Sequence, residues 1–498
     1  MTEKPVAEAQ ADNIIKAEKR RKLGSLRKLG VNPYPYTFER NSNTQELRAK
    51  YGYLKATEHL TEPLIKIAGR VMTVRIMGKA AFFNLQDQKG TIQVYVKMAE
   101  LPPEDLQVFN LLDLGDIVGV EGFMFGTKTG ELTVEAKRFI MLSKTLEPLP
   151  DKHSGLADIE IKYRARYLDL ITNPQSRKIF EIRSQVLREI RNFLDARGFL
   201  EVETPVLQPI YGGASARPFK THHNTLDIPL YLKISPELYL KRLIVGGFEK
   251  VYDLTKNFRN EGIDRSHNPE FTMLEWYEAY TDYNYQMIQF EDLVSYLANK
   301  VCGKTKIVYQ GVEIELAPPW RRLTMQEAIR EYGKLNPQEF TDEELFAKAK
   351  ELGSDLKKAV SRGHLIAELF ALTVENHLVQ PTFILDHPEE ISPLTKKHRT
   401  EKGLVERFEP FIAGMEVGNA YSELNDPEEQ RARLVAQEKQ RLIDDESHPM
   451  DEDFIRAIEV GMPPTGGVGL GVERIVMLLT DQPSIRDIIL FPTMRPLR

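Results

Sequence analysis

The chain has 498 residues, 42% of them hydrophobic and 28% charged, and a formal net charge of −6. This composition is typical of a globular enzyme with several domains, and it argues against a protein that coats nucleic acid through bulk positive charge. No apolar run approaches the roughly 18 residues of a membrane span, no signal-peptide core is visible, and Cys302 is the only cysteine, so we expect a cytoplasmic protein without membrane contact.

The first predicted element is a basic helix within residues 1–60. The segment IIKAEKRRKLGSLRKLG, at 14–30, carries seven lysines and arginines against a single glutamate. Such a helix can contact phosphate groups, or it can be a solvated amphipathic helix, and the sequence leaves both interpretations open.

A small β-barrel is predicted over residues 61–147. Five β-rich runs are separated by glycines and turn residues, and a helix-like segment, PPEDLQVFNLL, follows the third run. The pattern is typical of the five-stranded oligonucleotide-binding (OB) barrel, although a barrel without a nucleic-acid partner has the same pattern. The runs are IKIAGRVMTVRI, KAAFFNLQ, TIQVYVK, DIVGVEGFMF and ELTVEAKRFIML.

A linker is predicted at 148–175 and a larger α+β domain at 176–498. Its first helix, Arg177–Ala196, has apolar residues at three- and four-residue spacing, and FLEVETPVL after Gly198 is predicted to continue as a strand. Strands and helices then follow without βαβ alternation, which indicates an antiparallel sheet flanked by helices. The segment at about 335–380 is predicted to be an exposed helical insertion.

The segment FRNEGIDRSHNPEFTMLE, at 258–275, is predicted to be a strand, a loop and a returning strand, because Pro269 cannot lie inside a helix. Arg259 suits a phosphate or a carboxylate, and His267 adds a second contact to phosphate. Phe271 can stack on a flat heterocycle. The flanking carboxylates, which can take up ammonium or amino groups, are Glu261 and Glu275.

Glycines precede the last long apolar helix. In GMPPTGGVGLGVERIVMLL, at 461–479, the helix is predicted to start near Val472 and to carry Arg474 in its first turn. A cation there opposes the helix dipole and needs an anionic partner. Since neither GxGxxG nor GxxxxGK[ST] is present, packing glycines remain an alternative interpretation.

Two further segments add carboxylates. In MEVGNAYSELND, Glu416 and Glu423 stand seven residues apart, and two carboxylates without His or Cys suit Mg²⁺ held jointly with substrate phosphates. In KISPELYLKRL, Glu237 is predicted to open a helix after Ser235 and Pro236. Exposed charge and a helix cap are the ordinary interpretations of these segments. Together with the arginines, they predict a site for a nucleoside triphosphate and a cationic small substrate.

The helix and strand ending at Pro205, the stretch FRNE through Phe271, and GVGLGVER resemble, in that order, the three signature motifs of the class II aminoacyl-tRNA synthetases. From about residue 15 onward the chain is especially similar to the lysyl-tRNA synthetases of bacterial type, through GRVMTVRIMGKAAFFNLQD, KYRARYLDL, ISPELYLKRL, EISPL and SELND. The resemblance implies a lysine–tRNA ligase. Such an enzyme joins L-lysine to ATP, giving lysyl-adenylate and pyrophosphate, and then transfers lysine to the 3′ end of tRNA(Lys).

The same resemblance assigns roles to individual residues. The implied ATP-binding residues are Arg259, Glu261, His267, Phe271 and Arg474, of which Arg259 and Arg474 also act in catalysis. The implied lysine-binding residues are Gly213 and Glu237 for the α-ammonium, Glu275 and Tyr277 for the ε-ammonium, and Asn425 for the carboxylate. Glu416 and Glu423 would hold Mg²⁺, and in the barrel Arg75, Phe82 and Gln93 would read the central uridine of the anticodon.

A homodimer is also implied, because the first motif forms the two-fold interface in this class. The residues also bear on three alternatives to a lysine–tRNA ligase. An aspartate- or asparagine-type synthetase needs cationic groups in its pocket, and a lysyl ligase acting on a protein substrate would lack the barrel. A non-catalytic nucleic-acid-binding protein would have no need of the arginines and carboxylates described above.

Overall fold

The computed structural model describes residues 6–150, 159–356, 361–441 and 449–496. They separate into two compact units, one formed by the residues before 151 and the other by those from 159 to 496. Part of the predicted linker, 151–158, and part of the predicted helical insertion, 357–360, lie outside the described residues. Across the described ranges, no helix is both long enough and apolar enough to span a membrane.

The N-terminal unit is a closed barrel in the strand order β1-β2-β3-β5-β4. A helix lies between the third and fourth strands, as the sequence predicts, and the OB-type topology is confirmed. Alternate residues of β2 and β3 point into the barrel, and those inward residues are buried. The elements are α1 (Val6–Lys28), α2 (Thr44–Tyr51), β1 (Ile65–Met77), β2 (Ala80–Gln86), β3 (Thr91–Lys97), α3 (Pro103–Phe109), β4 (Ile117–Gly126) and β5 (Leu132–Ser143).

Several basic side chains of α1 form ion pairs or hydrogen bonds within this unit. Lys22 Nζ lies 2.6 Å from Asp113 Oδ1, and Lys19 Nζ donates to the Leu114 carbonyl at 2.9 Å. Lys16 Nζ lies 2.7 Å from Glu147 Oε2. Other basic residues of the helix are exposed, namely Arg20, Arg21, Arg27 and Lys28.

The second unit is built on a sheet of nine described strands in the order β14-β15-β16-β18-β19-β11-β10-β6, with β17 paired to β16. Its pairs are antiparallel except β14–β15 and β10–β6 at the two edges, so the predicted α+β class is confirmed and the sheet is mixed. The strands are β6 (Leu200–Glu201), β7 (Leu207–Gln208), β8 (Lys220–His223), β9 (Ile228–Leu232), β10 (Lys250–Phe258), β11 (Glu270–Ala279), β12 (Lys306–Tyr309), β13 (Val312–Glu315), β14 (Arg321–Thr324), β15 (Thr382–Pro388), β16 (Leu404–Ile412), β17 (Met415–Glu416), β18 (Gly418–Ser422) and β19 (Thr465–Gly471).

Helices cover one face of this sheet and form the main core. Leu274 and Trp276 of β11 point toward them and are buried with Phe290, whereas the neighbouring Glu275 and Tyr277 point to the opposite face. Because successive side chains of a strand point to opposite faces, one set of β11 residues faces the core and the other set faces the cavity. The helices are α4 (Ile159–Arg164), α5 (Arg166–Thr172), α6 (Pro174–Asp195), α7 (Glu237–Val245), α8 (Tyr283–Cys302), α9 (Met325–Ala328), α10 (Asp342–Glu351), α11 (Arg362–Thr373), α12 (Pro427–Arg441), α13 (Glu452–Gly461), α14 (Val472–Thr480) and α15 (Ile485–Ile488).

Two predicted elements have different bounds in the structure. Helix α6 begins at Pro174, before the predicted Arg177, because the Asn173 side chain accepts from the Gln175 N–H and proline suits the first helical turn. The strand predicted for FLEVETPVL, with its alternation ending at Pro205, is present but much shorter. Only Leu200 and Glu201 pair with β10, and the chain then turns away, with Thr204 Oγ1 donating to Asp253 Oδ2 at 2.7 Å.

Candidate functional site

A cavity of about 440 Å³ opens on the exposed face of the large sheet. Its walls come from β11, the loop between β10 and β11, β16 to β19, the starts of α7, α14 and α15, and the loop segments 213–215 and 391–395. Most of the residues predicted from sequence meet here. Those that line the cavity are Gly213, Glu237, Arg259, Glu261, His267, Phe271, Glu275, Tyr277, Glu416 and Arg474.

Arg259 marks one end of the cavity, directly after β10. Its Nε is buried and has no hydrogen-bond partner among the described residues, and its guanidinium carbon lies 5.2 Å from the centre of the Phe271 ring. Burial lowers the pKa of Arg259. A buried donor without a partner is unfavourable, so this position favours an anionic ligand beside an aromatic face.

Arg474 faces the same end from the first turn of α14, which begins at Val472 as predicted. It donates to the backbone carbonyl of Glu416, and its Nη1 lies 3.5 Å from Glu416 Oε2. The positive end of the helix dipole adds to the charge of Arg474. We call this end of the cavity, formed by Arg259, Phe271 and Arg474, the anion end.

The loop between β10 and β11 is organised by Asp264. Its Oδ1 accepts from the backbone N–H groups of Ser266 and His267, and its Oδ2 lies 2.9 Å from His267 Nδ1. His267 is exposed and lines the cavity, as Glu261 does. The loop therefore holds an imidazole near the anion end.

Glu409 and Glu416 form a carboxylate pair on the wall of the anion end. Partial burial raises the pKa of Glu416, and the negative charge of Glu409 raises it further. Glu409 Oε1 accepts from Arg407 Nη2 at 2.5 Å. Within the described residues, no three His, Cys, Asp or Glu side chains are grouped as a metal site, so a cation here would need ligand oxygens from a substrate.

Glu275 lies in the middle of the cavity floor and is only 5% exposed. Its Oε1 accepts from Ser235 Oγ at 2.8 Å, and its Oε2 from Tyr277 OH at 3.3 Å. Burial and then the nearby charge of Glu237 raise the pKa of Glu275 to about 8. The carboxyl is thus suited to a cationic ligand that restores its charge.

Beyond Glu275 lies an acidic cluster formed by Glu237, Lys241, Tyr421 and Glu423. Lys241 Nζ lies 2.6 Å from Glu237 Oε1 and 2.5 Å from Glu423 Oε2. Tyr421 OH donates to Glu237 Oε2 at 2.7 Å. Burial alone would lower the pKa of Lys241, but the two carboxylates outweigh it and the pKa is raised.

Strand register orders these groups along the cavity. Across β11, β19 and β18, Glu275 aligns with Gly469 and Asn419, and the next inward row is Tyr277, Gly467 and Tyr421. Adjacent rows on one face are about 7 Å apart. A side chain at Gly467 would overlap the Glu423 carboxylate and the Tyr277 ring, so glycine is required to keep the floor open.

Gly213 closes the side of the cavity near Glu275. It has a φ of +84°, and a Cβ there would lie 2.7 Å from Ser235 Oγ and 2.8 Å from Glu237 Cβ. The left-handed backbone and the close contact both require glycine. The predicted position of Gly213 beside Glu237 is therefore consistent with a backbone wall of the binding cavity.

The structure does not bring two predicted residues to the cavity wall. Asn425 lies beyond β18 and is not among the residues that line the cavity, and its Nδ2 donates to the Met462 carbonyl at 2.9 Å. Glu423 pairs with Lys241 behind the floor at Gly467 and is not among the residues that line the cavity with Glu416. Alternation along β18 and its pairing with β16 instead expose residues that the sequence analysis missed. They are Arg407, Glu409, Asn419 and Tyr421.

The barrel unit brings its predicted residues to one outer surface. Arg75 pairs with Phe82 across β1 and β2, and Phe82 pairs with Tyr95 on β3, two residues from Gln93. The Phe82 and Tyr95 ring centres are 4.7 Å apart, and Gln93 Oε1 accepts from Thr133 Oγ1 at 2.9 Å. An accessible aromatic ring beside amide and guanidinium groups suits an unpaired nucleobase.

Two family models match the chain. The model described as tRNA synthetases class II (D, K and N) matches residues 158–495, and the model described as an OB-fold nucleic acid binding domain matches residues 65–142. The larger match contains the whole cavity, and the smaller one contains the barrel strands.

The chain is also similar over nearly its full length to curated bacterial proteins. It is 52% identical to the lysine–tRNA ligase of Thermoanaerobacter pseudethanolicus over 481 residues, which cover 96% of this chain and 95% of the relative. It is 50% identical to the lysine–tRNA ligase of Moorella thermoacetica over 489 residues, covering 98% and 99%. With the lysine–tRNA ligase of Synechococcus sp. the identity is 52% over 479 residues, covering 95% and 98%.

Proposed function

Since the chain belongs to the lysine–tRNA ligases of the class II tRNA synthetases, we propose that its cavity joins L-lysine to ATP and that lysine then passes to tRNA(Lys). The observation that carries this proposal is the polarity of the cavity. Arg259, with its buried Nε, and Arg474 lie at one end together with the Glu409–Glu416 pair, whereas carboxylates and tyrosines without an arginine lie at the other. This arrangement suits a triphosphate next to a molecule with two ammonium groups.

ATP is proposed to lie at the anion end. The adenine would stack on the Phe271 ring, which also lies near the Arg259 guanidinium. Arg474 and His267 would contact the outer phosphates. Arg259 would contact the α-phosphate and the lysine carboxylate. The buried Arg259 Nε without a partner supports this role, because bound anionic oxygen would satisfy it.

Lysine is proposed to extend from Arg259 toward the acidic cluster. The lysine carboxylate must meet the α-phosphate at the anion end. The α-ammonium then lies beside the cross-strand row that contains Glu275 and Asn419. The ε-ammonium lies beside the next row, which contains Tyr277 and Tyr421. The row spacing of about 7 Å is comparable with the reach of a lysine side chain. Glu275 is thus assigned to the α-ammonium and Glu237 to the ε-ammonium, the reverse of the assignment drawn from resemblance. Asn419 takes the role predicted for Asn425.

Mg²⁺ is proposed to be held by Glu409 and Glu416 together with ATP phosphates. These residues fit such an ion because both carboxylates line the cavity, and burial and the charge of Glu409 disfavour the ionised form of Glu416, which a bound cation would favour. When bound, the ion would neutralise phosphate charge. Glu423, predicted for this role, is assigned instead to the acidic cluster.

The reaction needs no side-chain nucleophile. A lysine carboxylate oxygen attacks the α-phosphorus, the bond to the β-phosphate breaks, and pyrophosphate leaves. Arg259 orients both reacting groups and stabilises the negative charge that gathers on the α-phosphate. The terminal ribose hydroxyl of tRNA then attacks the lysyl carbonyl, and AMP leaves.

Recognition of tRNA(Lys) is proposed to use the barrel surface of Arg75, Phe82 and Gln93, with Phe82 stacked on the central anticodon base. Replacing Phe82 by alanine should lower kcat/KM for tRNA aminoacylation about 10- to 100-fold, because loss of base stacking costs about 1–3 kcal/mol. Lysine-dependent ATP–pyrophosphate exchange requires no anticodon and should be unchanged. A variant that loses both activities equally would remove Phe82 from this role.

A homodimer and a cytoplasmic location are also proposed. Exposed apolar side chains occur on β6, β7 and β9 and the loop before β9, which supports a protein partner for this region. They are Leu200, Val206, Leu207, Leu226 and Ile228. Sedimentation equilibrium of the purified chain tests the dimer, and the single cysteine suits a reducing compartment.

The pKa of Glu275, raised to about 8, predicts a pH dependence of lysine binding. In the ligand-free folded protein the Glu275 carboxyl stays protonated between about pH 4.5 and 8, whereas in the unfolded chain it is ionised over that range. The free energy of unfolding therefore falls as pH rises toward 8. An ammonium group binds the carboxylate form. The lysine KM should therefore fall as pH rises from about 6 to 8, by up to about tenfold per unit. Exchange assays measure this profile, and a flat profile would contradict it. The Glu275→Gln variant should show no such slope.

The direct test of the proposed function is aminoacylation of a tRNA(Lys) transcript with labelled lysine, ATP and Mg²⁺. The full chain should form lysyl-tRNA, and it should not charge tRNA(Asp) or tRNA(Asn) transcripts with aspartate or asparagine. Formation of aspartyl- or asparaginyl-tRNA instead would favour the alternative synthetase type within the same family.

A further inference from the structure

The acidic cluster includes a cation that no step of the reaction uses. Lys241 is fully buried on α7, does not line the cavity, and bridges Glu237 and Glu423 at 2.6 Å and 2.5 Å. We propose that Lys241 is a positioning residue that sets the charge of the acidic cluster to the value that a single substrate ammonium group neutralises. This inference rests on the proposed function.

The charge balance follows from the groups present. With lysine bound and the carboxyls ionised, Glu237 and Glu423 together carry two negative charges and Lys241 balances one, so the acidic cluster offers a net charge of −1 to the ε-ammonium. The ionised Glu275 offers a separate charge of −1 to the α-ammonium. Each end of a lysine molecule thus meets one compensating charge, which is the condition for burying a cation.

The bridge also fixes where the carboxylates point. Both oxygens of Glu237 are engaged, one by Lys241 and the other by the Tyr421 hydroxyl. Glu423 Oε1 has no hydrogen-bond partner among the described residues, and it lies against the gap left by Gly467 in the cavity floor. A buried acceptor that faces this gap is a suitable partner for a ligand N–H group.

Without Lys241, two buried carboxylates would face each other. Like charges in one site cannot both ionise easily, so the pair would keep a proton. Lysine would then have to displace that proton, and its binding would weaken most at low pH. An ion pair that served folding alone would not change the pH profile of lysine binding in this way.

The chain offers a matched control in Lys233. This lysine is also fully buried, and its Nζ lies 3.1 Å from Asp253 Oδ2 and 2.9 Å from Thr204 Oγ1. It does not line the cavity. Replacing it by methionine removes a buried ammonium of the same kind without changing the charge of the acidic cluster.

The experiment compares lysine-dependent ATP–pyrophosphate exchange in Lys241→Met, Lys233→Met and the unchanged chain. In Lys241→Met the lysine KM should rise about 10- to 100-fold with the ATP KM unchanged, and it should fall more steeply with rising pH. In Lys233→Met the lysine KM should stay within about twofold even where thermal stability drops. Equal lysine KM values in Lys241→Met and the unchanged chain would overturn the inference.

A charge-conserving variant decides the case even where Lys241→Met does not fold. Lys241→Arg leaves the acidic cluster with a net charge of −1, so the lysine KM should change with pH as it does in the unchanged chain, even where the KM itself rises. A lysine KM that falls more steeply with rising pH in Lys241→Arg than in the unchanged chain would overturn the positioning role. If the unchanged chain shows no lysine-dependent exchange, the proposed function itself fails, and this outcome is distinct from the previous one.

Discussion

Replacing Arg259 by alanine is expected to lower lysine-dependent ATP–pyrophosphate exchange by about a thousandfold or more, because preorganised positive charge supplies most of the stabilisation in phosphoryl and acyl transfer. The guanidinium lies beside Phe271 with a buried Nε that has no partner among the described residues. Loss of both a phosphate contact and a carboxylate contact should reduce kcat more than it raises either KM.

Two control variants sharpen this test. Arg259→Lys keeps a charge but loses the planar fork, so it should stay at least about tenfold below the unchanged chain. Arg242→Ala removes an arginine that pairs with Asp451 outside the cavity wall, and its exchange rate should remain close to normal. Near-normal exchange in Arg259→Ala would refute the assignment of Arg259.

Replacing Glu275 by glutamine is expected to raise the lysine KM roughly 30- to 100-fold and the ATP KM by less than about threefold. A hydrogen bond to a charged group is worth about 1.5–3 kcal/mol, and an amide cannot compensate a buried ammonium. Glutamine is close in size and can still accept from Ser235 and Tyr277, so the fold should be retained. Equal losses for lysine and ATP would remove Glu275 from the lysine pocket.

Competing analogues of lysine separate the two ends of the pocket. Norleucine keeps the α-ammonium and lacks the ε-ammonium, whereas 6-aminohexanoate does the opposite. As inhibitors of exchange, norleucine should lose affinity in Glu275→Gln, and 6-aminohexanoate should lose affinity in Glu237→Gln. The reverse result would restore the assignment drawn from resemblance, with the ε-ammonium at Glu275.

The sequence was sufficient for elements with strong local signals. Pro269 excluded a helix, so the strand–loop–strand around Arg259 was predicted, and the glycines before Val472 placed the start of the helix that carries Arg474. The barrel followed from alternating runs with the helix after the third strand. In each case the residues that decide the structure are close together in the chain.

Long-range pairing explains what the sequence analysis missed. Glu409 on β16 lies on the cavity wall with Glu416 on β17, and only the pairing of these strands brings them to one face. The sequence pattern alone predicts the pair Glu416 and Glu423 instead. Asn419 rather than Asn425 lines the cavity, because β18 ends at Ser422 and the chain then turns away. Strand register, which one sequence does not reveal, decides both cases.

The buried charges could not be predicted for a related reason. Lys241 stands four residues after Glu237, which on a surface helix would be an ordinary ion pair. Its contact with Glu423 depends on how α7 packs against the sheet. Burial also separates Glu275 from an ordinary exposed glutamate, and burial is a property of the folded chain.

The most direct measurement is ATP–pyrophosphate exchange by the full chain with each of the twenty standard amino acids in turn. A cavity that holds a triphosphate at its arginine end and a doubly cationic molecule at its glutamate end predicts exchange with lysine far above the other nineteen, arginine included. Exchange driven equally well by aspartate, asparagine or a neutral amino acid would contradict the account.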